Sequence, residues 1–253
     1  MNKNTRYGFP ISSIFFQLCG MILLILLVVL TLSLKTFVFT SLLVGSLIVF
    51  WYLFIYLFRK RFFNLREKIL RQMIDHANVK GSEYILDLGT GAGYIAVGFS
   101  KILSSAQIIG VDKFDQNKPV FKIGFFEKIK INFFGNTVEQ AKKNVTIEKA
   151  QDAVQLVKSD LQNHFPFIDH VFDTILSSQF LYCISQKKIN EVLSEIDRVL
   201  KPSGKLIFFE SKKFINWDIA HIDSFFKNKN YVTRIYQLEK MPNKCIFSAK
   251  KPR

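Results

Sequence analysis

Between Ile11 and Phe58 the chain carries one charged residue, Lys35. As a single helix this run would extend about 72 Å at roughly 1.5 Å per residue, more than twice the ~30 Å thickness of a bilayer's hydrocarbon core. It is therefore too long for one pass and long enough for two. We read it as a hairpin of two transmembrane helices, about residues 11–34 and 36–58, turning near Ser33–Thr36. A cleaved signal peptide is the weaker alternative. Its apolar region is usually about 7–15 residues and ends at small residues, and Thr31–Lys35 offers no such site. Lys3 and Arg6 precede the run, and Arg59, Lys60, Arg61, Arg66, Lys68 and Arg71 follow it. Basic flanks stay cytoplasmic, so both ends are expected on that side of a cell membrane, with the protein multi-pass. Trp51, Tyr52 and Tyr56 near the second exit suit an interfacial aromatic belt.

This run divides the chain into an anchor, residues 1–60, and a domain, residues 61–253, long enough to bury its own core. The formal net charge is +15, and residues 1–80 hold ten Lys/Arg against two acids. The excess is thus densest beside the expected membrane, where anionic headgroups attract it. The lipid bilayer is the expected partner, and nucleic acid is not expected because no nucleic-acid-binding motif accompanies the charge. Cys19, Cys183 and Cys245 form no paired spacing, which argues against a disulfide framework or a zinc site. His76, His164, His170 and His221 show no metal-ligand spacing either.

Beyond residue 60 the apolar positions Phe62, Leu65, Ile69 and Met73 recur at helical spacing to Ala77, an amphipathic helix joining anchor to domain. Strands are then predicted at Tyr84–Leu88, Gln107–Asp112, Ala153–Val157, Val171–Leu176 and Lys205–Glu210. Helices fall at Tyr94–Leu103, Asn136–Asn144 (capped by Asn136 or Thr137), Ile189–Leu200 and Trp217–Lys227. A final pair of strands, Tyr231–Leu238 and Lys244–Lys250, closes the chain. Alternating strands and helices imply an α/β fold, with a mainly parallel seven-stranded sheet and an antiparallel edge.

The segment with the most chemical content is Leu86-Asp87-Leu88-Gly89-Thr90-Gly91-Ala92-Gly93-Tyr94, which leaves the first strand and opens a helix. Glycines there let the backbone turn tightly and approach a ligand closely. The spacing is D-x-G-x-G-x-G, with Tyr94 where a dinucleotide loop has its third glycine, and it lacks the Lys-Ser/Thr of a phosphate-binding P-loop. A carboxylate at Asp87 would repel phosphate and attract an ammonium group. Three features follow in order: Asp112 ending Ile109-Gly110-Val111-Asp112, then Ser159-Asp160-Leu161 after the third strand, then Leu200-Lys201-Pro202-Ser203-Gly204-Lys205-Leu206 before the fifth.

With these features, residues 68–250 resemble the class I S-adenosylmethionine-dependent methyltransferases. The resemblance implies a Rossmann-like methyltransferase fold and S-adenosyl-L-methionine as cofactor. Carried over residue by residue, Asp87, Gly89, Gly91 and Gly93 would line the methionine and ribose portion, with Thr90 and Tyr94 as neighbours. Asp112 would accept the ribose hydroxyls, Ser159, Asp160 and Leu161 would frame the adenine, and Ser177 and Ser178 would lie near the sulfonium. Structural roles stay open beside these: Asp160 as a turn acid, Asp112 as a helix cap, the two serines as packing residues. Gly135–Ala141 and Ser177–Ile184 are similar to a group of small membrane-associated methyltransferases, in whose pattern a His-Asn pair stands where this chain has Tyr182-Cys183. Tyr182 is the candidate proton acceptor or substrate contact. No metal is expected.

The fourth strand ends in Ser-Ser-Gln-Phe rather than Asn-Pro-Pro-Tyr, which argues against methylation of amide or adenine nitrogen. Residues 113–135 interleave Phe114, Phe121, Phe125, Phe126, Phe133 and Phe134 with Lys113, Lys118, Lys122, Lys128 and Lys130. This insert reads equally as an interfacial segment or as a pocket lid. A lipid or other lipophilic acceptor is the expectation. The alternatives are a membrane-tethered binding scaffold without catalysis and a methyltransferase acting on a membrane protein.

Overall fold

A computed structural model describes residues 20–23, 37–103, 105–114, 137–212, 218–239 and 241–253. The expected turn at Ser33–Thr36, Asn136, Trp217 and the insert from residue 115 onward lie outside them. The chain divides into two compact units, Gly8–Lys68 and, among the described residues, Ile69–Arg253.

Helix α1 spans Phe37–Ala77. It joins what the sequence separates, because the second apolar span and the amphipathic linker are one continuous helix. The junction Phe58-Arg59-Lys60-Arg61-Phe62 contains neither Gly nor Pro, and Arg and Lys are good helix formers. The expected boundary at residue 60 therefore falls inside α1. Its apolar part is the one described helix long and apolar enough to cross a membrane. Residues 20–23 are also helical, and a Cβ added to Gly20 would lie 3.2 Å from the Trp51 ring. A complete two-helix hairpin is not seen among the described residues.

In the larger unit the order continues β1 (Tyr84–Leu88), α2 (Tyr94–Ser100), β2 (Gln107–Asp112), α3 (Val138–Ile147), β3 (Val154–Lys158) and β4 (Phe172–Ser178). A 3₁₀ turn (Leu181–Cys183) follows, then α4 (Ile189–Val199), β5 (Leu200–Ser211), α5 (Ile219–Lys227), β6 (Val232–Leu238) and β7 (Met241–Lys250). The seven strands form one sheet in the order β3-β2-β1-β4-β5-β7-β6. β1 through β5 are parallel, while β7 pairs antiparallel with both β5 and β6. The expected sheet is present. β5 starts at Leu200, five residues before the predicted Lys205, but Leu200–Gly204 are irregular: Ser203 is left-handed at φ 63°, and the register with β4 jumps from Phe172–Leu200 to Thr174–Lys205.

The inner strands are apolar on both faces, as strands covered by helices must be. Ile85, Leu86, Leu88, Ile175, Leu206 and Phe208 are buried. α4 shows the complementary pattern: Ile189, Val192, Leu193, Ile196 and Val199 are buried at helical spacing. α3 is capped by Thr137, whose side chain accepts from the Gln140 N–H. The end of α1 is closed by Lys205, whose Nζ donates to the Ala77 and Asn78 carbonyls at 2.9 and 2.6 Å, meeting otherwise orphaned acceptors. Phe99, Phe165, Phe172, Phe208, Phe226 and Phe247 are fully buried, each stabilising the fold by roughly 2–3 kcal/mol relative to exposure.

Candidate cofactor site

The sheet order reverses direction between β1 and β4, and in open α/β sheets a ligand crevice opens beyond the carboxyl ends of strands at such a point. The sequence-selected residues converge there. The loop Gly89–Gly93 leaves β1, Asp112 ends β2, Ser159–Leu161 follow β3, and Ser177 and Ser178 end β4. Register places Leu88 beside Val111 on one side and Ser177 on the other.

The glycine loop is held from below. Gly89, Gly91 and Gly93 have φ of 67°, 54° and 83°, left-handed values that disfavour a side chain. At Gly89 an added Cβ would also lie 2.6 Å from the Phe180 Cβ. Gly93 precedes the first turn of α2, and its N–H bonds the Thr90 carbonyl at 2.9 Å. Asp87 is buried beneath the loop. Its Oδ2 accepts from the Thr90 hydroxyl at 2.7 Å and from the Ala96 N–H at 3.2 Å. Burial, partly offset by these bonds, pushes its pKa up to about 7. Asp87 thus braces the loop from beneath.

Asp112 joins the β2 end to the same loop. Its Oδ2 accepts from the Gly91 N–H and its Oδ1 from the Phe114 N–H, both at 2.9 Å. Each carboxylate oxygen offers two lone pairs, so one on each remains for a pair of hydroxyls. Asp160 forms an ion pair with Lys113 at 2.8 Å, and its other oxygen accepts from the Gln162 N–H at 3.1 Å. Ser159 donates its N–H to the Asp112 carbonyl at 3.0 Å. Leu161 is buried in the core, Tyr94 is buried at the start of α2, and Ser178 is half-buried. Ser177 is fully buried.

Two residues of the region were not selected from the sequence. Asn144 on α3 is fully buried. Its Nδ2 donates to the Ala92 carbonyl at 2.9 Å and its Oδ1 accepts from Gln140 at 2.8 Å, so α3 props the glycine loop from the side. Its signal was a polar residue between Ala141 and Val145 on the buried face of a helix. Glu210, near the end of β5, is also fully buried. A carboxylate directly after the apolar run Leu206–Phe209, within the same strand, was its signal. Tyr182 is exposed. Its pKa is raised, first by a hydrogen bond with Cys183 and then by burial, which disfavours the phenolate a proton acceptor needs.

These residues fit an adenosyl donor: a loop whose three left-handed glycines carry no side chain, a carboxylate with spare acceptors beside it, and a buried acid behind. Residues 86–208 match the family model described as "Methyltransferase domain". Residues 86–208 thus carry a methyltransferase domain, in the fold of the class I S-adenosylmethionine-dependent enzymes. S-adenosylmethionine is the cofactor this domain implies. Over 157 residues the chain is 26% identical to the ubiquinone/menaquinone biosynthesis C-methyltransferase UbiE of Haemophilus ducreyi, covering 62% of this chain and 52% of that protein. It is 27% identical to the demethylmenaquinone methyltransferase of Lactobacillus johnsonii, covering 60% and 51%. The chain thus spans about half the length of these relatives. Among solved structures, a SAM-dependent methyltransferase from Aquifex aeolicus superposes with a TM-score of 0.52 at 19% identity, over 73% of this chain and 87% of that one. The [4+2]-cyclase SpnF gives 0.56 at 15%, over 73% and 80%. Both show the shared fold.

Proposed function

We propose that this protein is a membrane-anchored methyltransferase that transfers a methyl group from S-adenosylmethionine to a lipophilic acceptor, of which a reduced quinone ring is the leading class. The observation that carries the reading is the link between the two halves of the cofactor cradle: Gly91 in the glycine loop donates to Asp112 at the end of β2. The relatives named for quinone C-methylation support the acceptor class. The apolar length of α1 supports the membrane, and Gly20 against Trp51 supports a second helix over about residues 11–34, since small residues let membrane helices approach. The basic residues 59–71 support a cytoplasmic domain.

When bound, the cofactor supplies a methyl group already activated by its positive sulfur. The chain's own work is positioning. Asp112 accepts the hydroxyls of the donor's sugar while keeping its bonds to Gly91 and Phe114. Asp87 sets negative potential behind the loop, favouring a cationic donor. Phe180 covers Gly89 and excludes water from one side of the crevice. Lys113, bridging to Asp160, closes the far side near β3. Of the phenylalanines in the insert 113–135, Phe114 is buried, and Phe121, Phe125, Phe126, Phe133 and Phe134 are the candidates for contact with the acceptor or the headgroup layer.

Purified full-length protein, given whole membranes and methyl-tritiated S-adenosylmethionine, is expected to label the neutral-lipid fraction, quinones included. Label appearing in polypeptide would move the acceptor to a membrane protein. Cofactor binding without transfer to any fraction would identify a scaffold.

A further inference from the structure

Behind the glycine loop the exit of β4 is held by a buried acid with an uneven set of bonds. Oε1 of Glu210 accepts from the Phe180 N–H at 2.9 Å, the Leu181 N–H at 2.9 Å and the Ser177 hydroxyl at 3.3 Å. Oε2 is buried and has no protein partner among the described residues. Just before these residues the chain turns sharply, with Gln179 at φ 57° and its N–H bonded to the Phe209 carbonyl at 2.9 Å. Lys244 of β7 holds the same corner by donating to the Gln179 side chain and, at 2.6 Å, to Ser211. The consequence lies one residue on. The Phe180 side chain rests on Gly89, so closely that a Cβ there would come within 2.6 Å of it.

We propose that Glu210 is a positioning residue for methyl transfer, pinning the backbone at Phe180 and Leu181 so that the Phe180 side chain packs on Gly89 and holds the donor-binding loop in shape. The proposal rests on the methyltransferase reading for its purpose but not for its geometry. A charged carboxylate accepts hydrogen bonds more strongly than a neutral one, so the pin is tightest when Glu210 is ionised. Burial pushes its pKa up to about 7, against the bonds from Leu181, Phe180 and Ser177 and the charge of Lys244. Tyr182 and Cys183 on the 3₁₀ turn and Cys245 and Lys244 on β7 also feel its charge. Beyond them Asp112 acts on Cys183 and Lys212 acts on Cys245. Ionised Glu210 therefore has Lys244 as its cationic neighbour, and protonation at the open Oε2 weakens the pin.

Hydrogen exchange of the full-length protein in detergent, read by mass spectrometry and corrected for intrinsic exchange, follows the Phe180 and Leu181 amides directly. Wild-type protection is expected to fall about tenfold from pH 8 to pH 6, centred near pH 7. Glu210→Gln should show the low value at both pH values, with weakened cofactor affinity. Phe180→Ala should weaken affinity while keeping the pH step in Leu181 protection. A wild-type profile that is flat across this range, or Glu210→Gln with wild-type protection, overturns the proposal even if Glu210→Ala fails to fold. Absence of cofactor binding by wild type would instead sink the methyltransferase reading and leave the exchange result standing.

Discussion

Asp87 is a carboxylic acid fully buried beneath a loop of backbone amides, and its environment decides how it behaves. Desolvation lifts its pKa from 3.8 to about 7, a penalty on the charged form on the order of 4 kcal/mol. For a group whose folded pKa is raised in this way, the folded state holds the proton more tightly than the unfolded one. Stability is then fully present below about pH 4 and is lost as pH rises to about 7. The melting temperature of wild type relative to Asp87→Asn is accordingly expected to fall across this window and level off above pH 8. A flat difference would contradict the assignment. A cationic donor bound against the loop favours the carboxylate, so cofactor binding at pH 6.5 should release protons. Calorimetry in two buffers of different ionisation enthalpy measures this.

At the scale of elements, the glycine loop depends on its neighbours. Gly89→Ala would force a left-handed φ on a residue with a side chain and drive its Cβ into Phe180. We expect it to lower stability by about 1–3 kcal/mol and cofactor affinity by at least tenfold. Asn144→Leu would leave the buried Ala92 carbonyl without its donor. Its expected cost is about 1–3 kcal/mol, with cofactor affinity falling further than for a neutral α3 surface change such as Lys142→Gln. Urea denaturation alongside cofactor titration checks both. Most of these elements were legible because their signals are local: Tyr84–Leu88 is apolar but for Asp87 and runs into Gly89, and Ile108–Val111 is an apolar run ending at the acid Asp112. Less local features were not. Nothing in the Lys201-Pro202-Ser203-Gly204 composition shows that this stretch extends β5, since its pairing partners lie far along the chain. The position of β7 between β5 and β6 is equally a tertiary fact. Asn144 and Glu210 carried no motif, only a polar residue at a buried register, whose meaning appears once the loop they support is in view.

For the whole molecule, the central tension is between a domain with its own buried core and an apolar stretch that water cannot accommodate. Leu42, Val49, Phe50, Leu53, Phe54 and Leu57 on α1 are exposed, while Arg59, Lys60 and Arg61 come next. An integral anchor resists conditions that strip peripheral proteins, because its apolar area rather than its charge holds it. The full-length protein is expected to remain with the membrane pellet through 1 M salt and alkaline carbonate. Release by salt alone would assign the attachment to the basic residues, and release by carbonate would remove the transmembrane reading.

Every functional conclusion above depends on the glycine loop and Asp112 together receiving S-adenosylmethionine. Calorimetric titration of the purified full-length protein with that cofactor decides the matter. Wild type is expected to bind one equivalent. Asp112→Ala, which removes the acceptor for Gly91 and for the donor's hydroxyls, should bind about 100-fold more weakly while keeping its circular dichroism spectrum. Failure of the wild-type protein to bind, or undiminished affinity in Asp112→Ala, would contradict it.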